Sequence, residues 1–139
     1  MTDPHNLQRF IDAQAPVYPE VCDELRSGCK QGHWMWFIFP QIAGLGSSEM
    51  AMRFAISSID EARAYLQHPI LGPRLRECAR LVCQVEGRSA RQIFGGIDEM
   101  KFRSSMTLFA SAAPGKSVFE ECLEKFFGGQ RDRATLDRL

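Results

Sequence analysis

The chain has 139 residues, 45% of them hydrophobic and 24% charged, which fits one globular domain and excludes a disordered or fibrous protein. Seventeen basic residues balance seventeen acidic ones, so the phosphate-neutralising excess of a duplex-binding module is absent. No apolar run approaches the roughly 20 residues that span a bilayer, and the opening Met-Thr-Asp-Pro-His lacks the basic start of a signal peptide. The expectation is a cytoplasmic single domain over residues 1–139 that binds neither nucleic acid nor membrane. Size scaling gives it a folded surface of about 7,300 Å².

The predicted elements are helices, bounded by their caps. Asp3-Pro4 reads as an N-cap followed by proline at the first helical position, with Leu7, Phe10 and Ile11 on the apolar face. Pro19 opens a second helix through Val21 and Leu25, closed by Gly28. The run from Trp34 to Phe39, ending at Pro40, reads as a short strand or buried extended segment. Gln41 to Ser48 is a glycine-containing loop. From Ser48 a helix is expected in which Met50, Ala51, Met52, Phe54, Ala55 and Ile56 cover most of the circumference. Such a helix belongs inside a domain, and its only polar stripe is Glu49, Arg53 and Ser57 at spacing four.

Three Ser-x-x-Glu/Gln capping boxes follow, Ser58–Glu61, Ser89–Gln92 and Ser117–Glu120, with stops at Pro69, Gly95-Gly96 and Gly128-Gly129. Between them, Leu71, Leu75, Cys78, Ala79, Val82 and Val85 recur at helical spacing up to Gly87. Asp98 caps a longer helix whose core positions are Phe102, Met106, Phe109, Ala110 and Ala113. Phe119, Leu123, Phe126 and Phe127 form the last amphipathic face. The fold class is therefore mainly α, a compact single-domain multi-helix bundle with one irregular aromatic and glycine segment.

Two segments carry chemical possibilities. His33, Trp34, Trp36 and Gln41 lead into Gly44-Leu45-Gly46 and the Ser48 helix start. An aromatic wall before a loop and helix start suits a nucleotide, with a ring stacked on the base. The dinucleotide fingerprint is not met, because Glu49 stands where its third glycine belongs. Glu49 is suited to general acid–base work or to holding ribose hydroxyls. In the second segment Lys101 and Ser105 lie on one shoulder of a helix and Arg103 and Thr107 on the other. One ligand cannot easily meet both. A lysine beside a core face is a candidate nucleophile, and an arginine is a candidate phosphate clamp; the spacing leaves the choice open. The five cysteines, Cys22, Cys29, Cys78, Cys83 and Cys122, are odd in number and lack zinc or redox spacing, so they read as reduced, buried thiols. No motif asks for a metal or a cofactor.

The stretches Trp34–Gln41, Gly44–Gly46, Ala64–Gly72 and Lys101–Phe109, with Asp132 and Thr135-Leu136 at the end, resemble domain-of-unknown-function family 1810, small bacterial proteins often labelled calpastatin-like. The resemblance implies a compact, mainly helical single domain and no established activity. A more distant likeness is to the NADAR N-glycosidases, through Ser48-Glu49 opening a helix, Arg53-Phe54 after it, and Met106 with Phe109. Arg53 and Met50 stand where that group has lysine and histidine. That likeness implies ribosyl substrates, with a glutamate and lysines at the site. The combined expectation is a small-molecule pocket for a nucleotide or ribosyl phosphate. In it Glu49 and Lys101 act catalytically in N-glycosidic hydrolysis, and His33, Trp34, Trp36, Gln41, Arg53, Arg103 and Ser105 bind. The alternative is a non-enzymatic protein-interaction module in which these residues are structural.

Overall fold

In a computed structural model describing residues 3–139, ten helices carry the fold. They are α1 (Gln8–Gln14), α2 (Tyr18–Arg26), α3 (Met35–Ile38), α4 (Glu49–Arg53), α5 (Ile59–Gln67), α6 (Leu71–Cys83), α7 (Ala90–Phe94), α8 (Gly96–Ala112), α9 (Val118–Phe127) and α10 (Arg133–Leu136). Helix α8 is the axis, with α5, α7, α9 and α10 packed around it, while α6 bridges α2, α5 and α9. Among the described residues there is no strand, only an isolated parallel bridge between Ile42 and Ile56. The accessible surface of 7341 Å² matches that expected for a folded monomer of this length. No described helix is long and apolar enough to cross a membrane.

The serine caps work as expected. The hydroxyls of Ser58, Ser89 and Ser117 accept from the backbone N–H three residues on, at 3.3, 3.1 and 3.4 Å. Only Ser89 is a reciprocal box, because its own N–H donates back to Gln92. Glu61 turns elsewhere. It is buried, accepts from the N–H and hydroxyl of Ser57, and pairs with Arg9 at 3.0 Å. Arg9 also donates to the carbonyls of Arg53 and Ala55, so one guanidinium ties α1 to α5 and to the chain leaving α4. A buried charge needs such a full set of partners to be tolerated.

Four boundaries differ from the sequence reading, each for a physical reason. Asp3 does cap, but through Leu7 and Gln8, whose N–H groups its carboxylate accepts at 2.8 and 3.0 Å; the helix therefore starts at Gln8 and not after Pro4. Trp34–Phe39 is neither strand nor extended coil. It makes a single helical turn, satisfying buried backbone groups locally through Ile38 N–H to Trp34 and Phe39 N–H to Met35. Helix α4 stops at Arg53, because Ile56 leaves to pair with the Gln41–Ala43 backbone at 2.8 and 2.9 Å. It buries none of its residues and leaves Met52 67% exposed. Its expected interior position is overturned, and with it the Glu49–Arg53–Ser57 stripe. Finally, α8 begins at Gly96, directly after the Gly95 turn (φ +89°), so Asp98 lies in its first turn and is not its cap.

The core is rich in aromatic rings. Phe102 of α8 stacks on Phe94 at 4.7 Å and meets Phe39 edge-on at 5.0 Å. Further along α8, Phe109 packs on Tyr65 and Phe119. Burying a side chain of this size stabilises by about 1.5–3 kcal/mol, so α3, α5, α7 and α9 are all held onto α8 by rings.

Candidate functional site

Where the glycine loop meets the start of α8, the surface opens into a groove of about 420 Å³. Ile97, Met100, Lys101 and Ser104 form one wall, at spacings i, i+3, i+4 and i+7 that place them on one helix face. The opposite wall is the loop, with Gln41, Leu45, Gly46, Ser47 and Ser48, joined by Ala51 of α4. A smaller hollow of about 240 Å³, walled by Met52 and Ala55, lies behind the same loop and shares Gln41, Gly46 and Ala51 with the groove. The loop lies close on α4: a Cβ on Gly46 would fall 2.7 Å from that of Ala51, so any larger residue there displaces the partition between the two hollows.

Lys101 is the only cation in the groove lining. Its side chain is 26% exposed, and its ammonium lies 5.3 Å over the Trp36 ring and 3.8 Å from the Asp98 carboxylate. Asp98 is held more tightly by Lys30, at 2.9 Å. Lys30 in turn lies 5.1 Å over Trp34 and donates to the Gly32 carbonyl. Beneath them Glu24 accepts from the N–H groups of Gln31 and Gly32 and from the Trp34 indole, at 2.7, 2.9 and 3.0 Å. Burial pushes the Glu24 carboxyl up, but those donors and Lys30 outweigh it and hold it below the ordinary carboxylate value.

The residues singled out from sequence divide sharply. Gln41 and Lys101 line the groove together, and Trp36 is half-buried beneath the Lys101 ammonium. Trp34 is 3% exposed, with its indole spent on Glu24, so it offers no face to a base. His33 is exposed on the preceding loop. Glu49 is exposed beside the groove and outside its lining, and among the described residues it makes no ion pair with Arg53. Arg53 instead lies over its neighbour Phe54, at 5.2 Å. Arg103 is on the far shoulder, donating to the carbonyls of Gln130 and Arg131 at 2.9 and 3.3 Å. It clasps the C-terminal segment and lies outside the groove lining. Ser105 is fully buried in the core, its hydroxyl without a partner among the described residues. Ser104 takes its place at the groove, its one hydroxyl proton shared between the Met100 carbonyl and the Asp132 carboxylate at 3.0 and 3.1 Å.

A helix begun at Asp98 leaves out Ile97, while Met100 and Ser104 share the Lys101 face at helical spacing. Begun two residues earlier, its 97/100/101/104 face is visible in the sequence. Lys30 and Glu24 had no local signal, since their partners come from other elements. Among the described residues no group of three or more His, Cys, Asp or Glu is placed to hold a metal ion.

Residues 4–139 match the family described as "Protein of unknown function (DUF1810)". The chain belongs to this family. Among solved structures it is similar to the conserved hypothetical protein Rv1873 from Mycobacterium tuberculosis, with 58% identity over 99% of this chain and 98% of that one, and a TM-score of 0.97. No curated protein matches it. The DUF1810 likeness read from the motifs thus holds along the whole fold, whereas none of these comparisons supports the NADAR likeness.

Proposed function

We propose that this DUF1810 protein binds a small anionic ligand, a nucleotide or ribosyl phosphate, in the groove between the glycine loop and α8. The observation that carries this reading is the state of Lys101. It is a partly buried cation at an open groove whose one acidic neighbour is already claimed by Lys30. An incoming phosphate supplies the close partner that Lys101 lacks, and a charge-assisted hydrogen bond is worth about twice a neutral one. Gln41, Ser47 and Ser48 supply polar groups for sugar hydroxyls, while Leu45, Ile97 and Met100 supply apolar surface for a base.

N-glycosidic hydrolysis is the more demanding form of this proposal. General acid–base action needs a group within about 3 Å of the reacting proton, or one water away. The groove lining contains no carboxylate, so Glu49 would have to reach in from beside Ser48. Binding without turnover is the form the geometry favours.

A second reading, a protein-interaction module, draws on the 75% exposure of Ile97 and the 69% exposure of Met100, since apolar surface of this kind is common at contacts between proteins. Thermal-shift titration with nucleoside monophosphates, ADP-ribose and ribose 5-phosphate separates the readings. Stabilisation of the wild type that Lys101→Met abolishes supports the ligand site. No shift at millimolar ligand favours the interaction module. Product formation lost in Glu49→Gln, with binding retained, supports the glycosidase.

A further inference from the structure

At the other end of α8 a second groove, of about 490 Å³, opens where the chain leaves that helix and meets α5 and α6. It shares no lining residue with the groove at the glycine loop, and its volume lies in the range of about 300–1,000 Å³ that holds small organic ligands. Its apolar lining is Leu66, Ala112, Ala113 and Pro114, the first two of them buried. Its charged lining is Arg63 and Arg76, with no carboxylate. In a chain of zero net charge that is a local cationic excess, which raises the potential for an anion inside a concave surface.

The backbone sets Arg76 in place. Its guanidinium donates to the Leu66 carbonyl at 3.2 Å, near the end of α5. Gly72 makes room for that bond, since a Cβ there would fall 2.1 Å from the Leu66 oxygen and 3.0 Å from the guanidinium. Among the described residues Arg76 makes no other hydrogen bond and no ion pair. Arg63 shares a face of α5 with Leu66 and Gln67, at spacings of three and four. Its one acidic partner is Asp60, at 3.5 Å, and the two side chains are 54% and 80% exposed, a pairing that contributes little.

We propose that this groove is a second binding site, for a small organic anion with a carboxylate or phosphate head on an apolar body. The head meets the two guanidiniums, whose planar forks match such oxyanions, and the body covers Leu66, Ala112 and Pro114. The site stands apart from the Lys101 groove and does not depend on a ligand there.

The test titrates the full chain with phenyl phosphate, phenylacetate and inorganic phosphate, followed by amide and arginine side-chain NMR shifts. The expected result is saturable shifts at Leu66, Gln67, Ala112, Ala113 and the two arginine side chains with millimolar phenyl compound. Of the two, the tighter assigns the head group. Inorganic phosphate, with no body to bury, should need about tenfold more, and Arg63→Met and Arg76→Met should each weaken binding about tenfold. Arg63 is exposed, so its variant keeps the test sound should Arg76→Met fold poorly. Absence of saturable shifts with both phenyl compounds overturns the proposal, as do shifts confined to Gly46, Ser48 and Lys101. Inorganic phosphate binding as tightly, or a folded arginine variant that retains wild-type affinity, overturns it too.

Discussion

The two shoulders of α8 carry similar side chains and are used in opposite ways. On one, Arg103 and Thr107 hold the C-terminal segment: Arg103 grips the carbonyls of Gln130 and Arg131, and the Thr107 hydroxyl accepts from the Asp132 N–H at 2.9 Å. Asp132 then accepts from Ser104 and from the N–H and hydroxyl of Thr135, capping α10. On the other shoulder Lys101 faces an open groove beside two exposed apolar residues. The guanidinium is engaged by the chain's own carbonyls, whereas the ammonium has a single, shared carboxylate partner and faces a hollow. Residue type did not distinguish them; the position of the C-terminal segment did.

That contrast breaks most visibly at Asp132. Asp132→Ala removes a helix cap and strands the hydroxyls of Ser104 and Thr135, so it should cost about 2–4 kcal/mol in chemical denaturation while ligand-induced stabilisation persists. Arg103→Ala should cost about 1.5–3 kcal/mol by the same measurement, the range for hydrogen bonds from a charged group, again without loss of binding. Lys101→Met should change stability by less than about 1 kcal/mol, since a partly exposed cation–π contact and a long ion pair contribute little, yet it should abolish the ligand response. An equal loss of stability at Lys101 and Arg103 would erase the distinction between the shoulders.

The groove side also carries a pH signature. Because Glu24 titrates below its ordinary value in the folded protein, the stability it contributes is fully present above the unfolded carboxylate value of about 4.3 and is lost as pH falls through the lower folded value. Glu24→Gln should therefore flatten the acid limb of a stability–pH profile measured by thermal melting. The smallest effect is expected at Met100→Ser, within about 0.5 kcal/mol of wild type, because the side chain is mostly exposed.

Local punctuation in the sequence was enough for most of the fold. Ser58, Ser89 and Ser117 start helices because a hydroxyl can reach its own next turn, and Gly128 ends one at φ +62°. Elements that answer to distant partners were not legible. Helix α4 ends early because Ile56 turns away to pair with Gln41 and Ala43, and because Arg9, more than 40 residues away, holds the carbonyls of Arg53 and Ala55. The candidate site divided along the same line. Lys101 and Gln41 share a groove that type and position suggest, whereas the groups that engage Arg103 and Trp34, Gln130 and Glu24, lie on other elements and leave no local trace.

The most direct measurement is calorimetric titration of a nucleoside monophosphate and of ADP-ribose into the wild type, Lys101→Met and Arg103→Met, each first confirmed folded by circular dichroism. The expected result is saturable binding to wild type and Arg103→Met, with affinity reduced tenfold or more in Lys101→Met, a loss of at least about 1.4 kcal/mol. Binding that survives in Lys101→Met and is lost in Arg103→Met would contradict the assignment of the ligand to the open shoulder of α8.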